Sequence, residues 1–350
     1  MTDRSAHLSR PAESIEVKPR SISELLEAMG RTGFQGRSLA SAVDVLVRMI
    51  EDEENTIFFG YAGSMSTTGQ SKIVSWLIEN RFVDVVVSTG ANVSEDVFEG
   101  LGYSYYQGSA VADDAELLRH QIDRFYDIYA DELQYRELEG FIAEFISTLD
   151  AGSAYSSADF LRRFGAFQNE RGVASITASA ARVGVPVFSP GLADSGYGVA
   201  ATLLARERGH AVVLDQFADF RQLAAIGERA GATSVVYIGG GVPKDTIQLV
   251  TVMVSLAQGG DDVAPHKYAV QITTDSPQWG GLSGCTFEEA ISWGKIDEAA
   301  VRAVCYCDAT IALPILAHAL LERGARRKNP PDLSRLGSEE PAARAPEAQP

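Results

Sequence analysis

The sequence predicts an α/β fold in which helices cover both faces of a doubly wound, mainly parallel sheet. Short continuous apolar runs alternate with stretches of helical spacing, a pattern typical of strands joined by helical crossovers. Several of these runs end in loops of small residues, as strands do at the ligand-binding edge of such sheets. The expected strands cover residues 56–61, 83–87, 185–188, 211–214, 234–238, 268–272 and 303–306.

A single domain, residues 21–324, is predicted between two polar ends. Residues 1–20 carry charge and two prolines without apolar periodicity, and residues 325–350 are rich in alanine, proline, arginine and glutamate, so we expect both to be disordered. The domain begins with a short helix capped by Ser23 and an amphipathic helix from Ser38 to about Glu51. Residues 113–183 are expected to be mostly helical.

The composition limits the classes of partner. The 350-residue chain carries 30 basic and 47 acidic residues, a net charge of −17. This charge argues against a nucleic acid or an anionic membrane, and a polycationic substrate explains it no better than plain solubility does. No run approaches the roughly 20 apolar residues of a membrane span, and the start lacks the apolar core of a signal peptide, so we expect a cytoplasmic protein. Three cysteines and five scattered histidines indicate neither a disulfide scaffold nor a metal site.

Glycine-rich and acidic loops follow several predicted strands. Gly239, Gly240 and Gly241 open a helix, so their backbone N–H groups suit a pyrophosphate, although such a run also makes a tight turn. Asp194 and Asp308 follow other strands, where each carboxylate can accept ribose hydroxyl groups or cap the next helix. These loops form the candidate ligand site.

The most distinctive stretch contains Glu289 and ends in Trp293-Gly294-Lys295. A lysine amine is nucleophilic only when it is neutral, and an indole beside it in a water-poor pocket lowers the cost of losing the proton. The pattern therefore suits an imine-forming lysine. It equally suits a solvated cation just past a helix C-terminus.

Seven short motifs occur in order along the chain: Gly33-Phe34-Gln35, Phe58-Phe59-Gly60-Tyr61, Val83-Asp84-Val85, Val187-Phe188-Ser189-Pro190, Gly239-Gly240-Gly241, Ala290-Ile291-Ser292-Trp293-Gly294-Lys295 and Asp308-Ala309. In these motifs the chain resembles the deoxyhypusine synthase family, from residue 33 to residue 321. The resemblance implies a Rossmann-like NAD domain and a homotetramer whose active sites lie at dimer interfaces. It also implies that NAD takes a hydride from spermidine, that the resulting imine passes to a lysine with loss of 1,3-diaminopropane, and that an acceptor amine receives the aminobutyl group before the hydride returns.

The resemblance assigns roles by position. Lys295 becomes the imine-forming lysine, Trp293 the wall beside the polyamine, and Glu289 an ammonium anchor. The residues that would surround NAD are Gly63, Ser64, Met65, Ser66, Thr67, Thr89, Gly90, Ala91, Glu95, Asp194, Gly240, Thr274, Asp275, Asp308 and Ala309.

Four positions depart from the family pattern at the polyamine site. Where the deoxyhypusine synthases of eukaryotes have acidic residues, this chain has Val199, Trp279 and Leu282, and where they have a histidine it has Asp245. We therefore expect Asp245 to anchor the substrate, with Glu95 as a second carboxylate. The pattern of retained cofactor residues and altered anchors resembles the bacterial deoxyhypusine synthase-like proteins.

We expect an NAD-dependent transferase that moves an aminobutyl group from spermidine or a related polyamine through Lys295. The acceptor is a small amine, as in homospermidine synthases, or a protein lysine, and the altered anchors favour the small amine. One alternative is a true deoxyhypusine synthase that modifies the hypusine-bearing translation initiation factor. Others are a catalytically inactive NAD-binding regulatory protein and an ordinary dehydrogenase that releases NADH.

Overall fold

A computed structural model describes residues 4–259 and 264–334. The strands are β1 (Asn55–Tyr61), β2 (Val85–Ser88), β3 (Tyr106–Gln107), β4 (Ile122–Phe125), β5 (Ile128–Asp131), β6 (Ala154–Tyr155), β7 (Val187–Phe188), β8 (Val213–Leu214), β9 (Ala232–Ile238), β10 (His266–Thr273) and β11 (Ile296–Tyr306). The helices are α1 (Arg4–His7), α2 (Ile22–Gly30), α3 (Phe34–Glu51), α4 (Ser71–Glu79), α5 (Gly90–Gly100), α6 (Asp114–Arg119), α7 (Glu132–Ser147), α8 (Ser157–Glu170), α9 (Ile176–Val183), α10 (Gly196–Arg208), α11 (Gln216–Arg229), α12 (Gly241–Ala257), α13 (Phe287–Ser292) and α14 (Ala309–Glu322).

The predicted α/β fold is confirmed by a six-stranded parallel sheet in the order β11-β10-β9-β1-β2-β7. Strand β1 is buried along its whole length, because helices cover both faces of the sheet. Ile57 and Phe59 belong to one hydrophobic core, with residues of α3 and α14. Phe58 belongs to the other core, with residues of α11 and α12. The strand order reverses beside β1, which makes the carboxyl ends of β1 and β9 the expected ligand site.

One part of the sheet prediction was wrong. Residues 211–214 lie outside the main sheet, where β8 pairs with β6, and Val213 is exposed there, whereas a strand of a doubly covered sheet is buried. Residues 113–183 are mostly helical, as predicted, in α6, α7, α8 and α9, but the prediction missed β4 and β5, which form an antiparallel sheet with β3 before α7 begins.

The first helices also begin elsewhere than predicted. Ser21 caps α2, not Ser23, since Ser21 and Glu24 exchange hydrogen bonds with each other's backbone N–H groups. Helix α3 begins at Phe34 instead of Ser38. In the described parts of the chain, no helix is long and apolar enough to cross a bilayer.

The chain ends differ in how they contact the domain. Residues 8–20 form no helix or strand, and Glu13 pairs with Arg31 of the domain at 2.7 Å. Residues 325–334, which we expected to be disordered, pack on the domain through Arg327 and Leu333. The rest of the expected disordered tail, from residue 335, lies outside the described residues.

A buried ion pair holds this C-terminal segment. The Arg327 guanidinium, whose side chain is 1% exposed, lies 2.9 Å from an Asp84 carboxylate oxygen and donates to the carbonyl groups of Asp52 and Asn55. The same Asp84 oxygen accepts from the Ile57 N–H of β1 at 2.9 Å. Burial raises the pKa of Asp84, and Arg327 opposes that rise. The pair ties the start of the sheet to a residue 243 positions later in the sequence.

Replacing Arg327 with alanine leaves the Asp84 charge buried with only Arg81, at 3.5 Å, as a cationic partner. We expect the free energy of unfolding to fall by about 3 kcal/mol, measured by urea denaturation. Lys328→Ala is the control, because the Lys328 pair with Glu53 is solvent-exposed and contributes at most about 1 kcal/mol. Equal losses in the two variants would contradict a stabilising role of the buried pair.

Candidate functional site

The loops after β1, β2 and β9 meet at the carboxyl edge of the sheet. The N–H of Ala62 donates to the Ile238 carbonyl at 3.0 Å, which joins the first and third loops. The N–H of Met65 donates to the Asn92 side chain at 3.1 Å, and the Ser66 hydroxyl donates to the Asn92 carbonyl at 2.7 Å. These bonds fix the small-residue loop that contains Gly63, Ser64 and Thr67 against α5.

Helix α12 starts at this edge without a side-chain cap. Its N-cap is Gly240, between Gly239 at φ 70° and Gly241 at φ 59°. A Cβ atom at Gly240 would lie 2.5 Å from the Cα of Ser283, so only glycine fits this turn. The positive end of a 17-residue helix suits an anionic phosphate group. A side chain from outside the helix, the Ser283 hydroxyl, accepts from the Gly241 N–H at 3.1 Å, so a phosphate at this turn would have to replace it.

The loop that contains Asp194 packs against the start of α5. Thr89 caps α5, and a Cβ at Gly90 would lie 2.7 Å from the Leu192 carbonyl oxygen, so the two loops touch. Ser195, not Asp194, caps α10. The capping role that we allowed for Asp194 is therefore wrong, and Asp194 is exposed in this loop.

Asp308 does cap a helix. Its Oδ1 accepts from the backbone N–H of Thr310 at 2.7 Å and from the Thr310 hydroxyl at 2.5 Å, and these bonds lower the pKa of Asp308. Asp308 and Ala309 stand where β11 gives way to α14. Thr274 and Asp275 are exposed after the neighbouring strand β10. The structure places all four residues at the carboxyl edge.

Lys295 lies between α13 and β11. The Lys295 ammonium lies 5.3 Å from the centre of the Trp293 ring, and its backbone N–H donates to the Ala290 carbonyl at 3.0 Å. Glu289 belongs to the first turn of α13, where Thr286 caps its N–H at 3.0 Å. Trp293 is 67% exposed, so the water-poor pocket that we expected around Lys295 is not closed within one chain.

A buried lysine beside this cluster was missed by the sequence analysis. The Lys244 ammonium, 2% exposed, donates to Gln271 Oε1 at 3.0 Å and to the Cys285 carbonyl at 2.5 Å. Burial lowers the pKa of Lys244 to about 8, while Cys285 and Glu289 oppose this effect. Lys244 thereby fastens α12 to the segment that begins α13. Helical spacing with Ile247 and Thr251 on the buried face of α12 was the available signal.

The two expected substrate carboxylates lie apart. Asp245 is half-buried beside Lys244, with which it interacts electrostatically. Glu95 lies on α5 near Tyr105, whose hydroxyl donates to the Glu95 carbonyl at 2.9 Å, and near Tyr135. Burial raises the pKa of the Glu95 carboxyl to about 7. A bound ammonium group would restore its ionised form.

The backbones of Lys295 and Asp308 lie at opposite ends of the sheet. Ile296, next to Lys295, pairs with His266 at the amino end of β10, and Tyr306 pairs with Thr273 at its carboxyl end. Strand β10 has eight residues and is therefore about 23 Å long, more than a lysine side chain can span. Within one chain, Lys295, the expected covalent lysine, is therefore too far from the Asp308 loop to reach it.

Comparison with known proteins identifies the family. The family model for deoxyhypusine synthase matches residues 24–320. "Probable deoxyhypusine synthase 2" of Methanosarcina mazei is 46% identical over 324 residues, covering 91% of this chain and 93% of the relative. Its counterpart in Archaeoglobus fulgidus is 45% identical, covering 87% and 98%. A "Deoxyhypusine synthase-like protein" of Chlorobaculum parvum is 36% identical, covering 90% of each chain, so these archaeal relatives are more similar than this bacterial one.

A solved structure shows the same fold. The "putative deoxyhypusine synthase" of Entamoeba histolytica superposes with a TM-score of 0.63 at 17% identity, covering 89% of this chain and 96% of its own. The family model spans most of the sequence, and the relatives match at well above 30% identity over nearly its full length. The chain belongs to the deoxyhypusine synthase family of aminobutyltransferases.

Proposed function

We propose that this protein is an NAD-dependent transferase that moves an aminobutyl group from spermidine or a related polyamine through Lys295. The observation that carries the proposal is the arrangement of Lys295, Trp293 and Glu289 at α13, in a chain whose glycine turn opens a helix at the carboxyl edge of the sheet. The glycine turn lies at the switch point of the sheet, where dinucleotides bind. Both halves of the reaction thus have a supporting feature.

Each step of the proposed transfer reaction has a residue that carries it out. Bound NAD would accept a hydride from the carbon beside the secondary amine of the donor and later return it. The Lys295 amine attacks the resulting C=N carbon, and 1,3-diaminopropane leaves with its nitrogen as the enzyme-linked imine forms. The acceptor amine then attacks the same carbon and releases Lys295. Trp293 lines the path of the aminobutyl chain, while Glu289 holds a terminal ammonium group.

A second copy of the chain would complete each site. Lys295 and Asp308 stand at opposite ends of the sheet in one chain, and large apolar side chains are exposed at Trp293 beside Lys295 and at Val199, Val242, Trp279 and Leu282. Burying them against a partner removes water from the lysine and brings it to the partner's cofactor loops. The expected homotetramer with active sites at dimer interfaces meets this need.

The acceptor is proposed to be a small amine, as in homospermidine synthases. Val199 and Leu282 carry no charge where the family anchors a polyamine, and Asp245 adds a carboxylate beside Lys244. An ammonium group without a partner in a dry tunnel costs several kcal/mol, so the donor should shift its register toward Asp245. The second candidate is a true deoxyhypusine synthase with a protein lysine as acceptor, which the similarity to archaeal deoxyhypusine synthases favours.

Lys295→Arg should abolish transfer and leave NAD binding intact. A guanidinium remains protonated and is a poor nucleophile, so no imine forms. Borohydride trapping with a labelled polyamine should modify the wild type but not the variant, as seen by mass spectrometry. Lys267→Arg, which keeps an exposed pair with Asp52, should behave as the wild type. Full transfer activity in Lys295→Arg would falsify the covalent mechanism.

Asp194→Ala and Asp308→Ala should each reduce the binding free energy of NAD by about 1–3 kcal/mol, because a cofactor hydroxyl group loses its hydrogen-bond acceptor. Titration calorimetry measures this loss. Only Asp308→Ala should also lower the free energy of unfolding, by about 1 kcal/mol, because Asp308 caps α14. Asp215→Ala, which removes the cap of α11, is the matched control and should lose stability without losing NAD affinity. Unchanged NAD affinity in both site variants would remove these residues from the cofactor site.

Asp245→Asn should raise the KM for the donor at least tenfold, since the charge disappears with little change in volume. NAD affinity should stay unchanged. Glu288→Gln is the control, because this exposed carboxylate pairs with Arg302. The proposed role of Asp245 as the substrate anchor would be rejected by two results together. These are an unaltered KM for the donor in Asp245→Asn and no improvement of spermidine turnover in Val199→Asp.

A further inference from the structure

Phe34 is the most exposed aromatic side chain among the described residues. It begins α3 at the corner after α2, and its side chain is 94% exposed. A phenylalanine in this position gains almost nothing from burial on folding. Its presence is therefore not explained by the packing of one chain.

The backbone of Phe34 also disfavours a side chain. Its φ is 56°, in the left-handed region that favours glycine. Tyr126 is a second exposed aromatic residue with φ 57°, but it occupies the two-residue turn between β4 and β5, where such a φ is required of any residue. Glycine would serve the turn at Phe34 better, so the aromatic ring points to a ligand.

The neighbours of Phe34 place it at the cofactor edge. The next residue, Gln35, accepts from the Tyr306 N–H at 2.6 Å through its side-chain oxygen and from the Cys305 thiol through its carbonyl group. Tyr306 is followed by the Asp308 loop, and it lines a cavity of about 260 Å³ together with Asp275. The backbone next to Phe34 is thus held at the end of β11 that leads into the Asp308 loop.

We propose that Phe34 stacks on the adenine ring of the bound dinucleotide, an inference that rests on the proposed NAD dependence. The reacting nicotinamide needs a site that excludes water, whereas Phe34 faces solvent. Adenine takes no part in the chemistry and can lie flat on an exposed aromatic ring. Asp308 lies two residues after Tyr306, which is bonded to Gln35, and this places it to hold the ribose of the same nucleoside.

The test measures affinity and stability in one series of variants. Phe34→Ala removes the ring and keeps the left-handed backbone, so the Kd for NAD and for ADP-ribose should rise roughly tenfold at an unchanged Tm. Phe34→Trp should retain affinity. Phe34→Gly should lower the affinity for NAD and for ADP-ribose. It should also raise Tm by about 2 °C, because glycine adopts the left-handed backbone conformation without strain. The Kd for nicotinamide mononucleotide should not change in any variant.

Tyr126→Ala is the control and should bind every ligand as the wild type does. Wild-type NAD affinity in Phe34→Ala would overturn the inference alone. A loss of affinity that accompanies dissociation in light scattering would overturn it in favour of a contact between copies of the chain. Failure of the wild type to bind NAD would overturn the proposed function and this inference with it.

Discussion

Strand β1 is the constraint on which the other elements depend. It pairs in parallel with β2 on one side and with β9 on the other, and all seven of its residues are buried. Parallel pairing brings the carboxyl ends of the three strands to one edge, so their loops must meet there. Because the chain leaves β1 first toward β2 and later returns to β9, helices α5 and α12 approach this edge from separate sides. The glycine turn before α12 therefore faces the small-residue loop after β1.

The extent to which the sequence predicts this fold follows from burial. Strands such as β1 and β9 have apolar residues on both faces, and continuous apolar runs predicted them within two residues. Strand β8 has a similar run, but its exposed Val213 pairs only with the short β6, a difference that depends on tertiary neighbours. Strands β4 and β5 have four residues each, mix polar with apolar side chains and are mostly half-buried, so no continuous apolar run marked them. The packing of Arg327 depends on Asp84, a partner that only the folded structure brings near.

The candidate site, like the fold, could be predicted from the sequence only in part. Motifs with a local mechanism, the glycine turn and Trp293-Gly294-Lys295, could be located from residue order alone, and the turn does open a helix whose N-cap residue has no side chain. The burial of Lys244 came from contacts with Gln271 and Cys285, which no spacing rule connects. The separation of Lys295 from Asp308 required the strand register. Whether a carboxylate caps a helix, as Asp308 does, depends on one hydrogen bond.

The ion pair between Asp84 and Arg327 has a consequence for synthesis on the ribosome. The two residues are separated by 243 positions, so the Asp84 carboxylate, just before β2, emerges long before its guanidinium partner. At about 5–20 residues per second, the interval is roughly 12–50 s. During that time the amino-terminal strands carry a charge that resists desolvation, which disfavours early compaction around them. Arg81, which lies 3.5 Å from Asp84 in the folded chain, is the cationic partner available in that interval, and the pair with Arg327 forms only after β9 to β11 have been made.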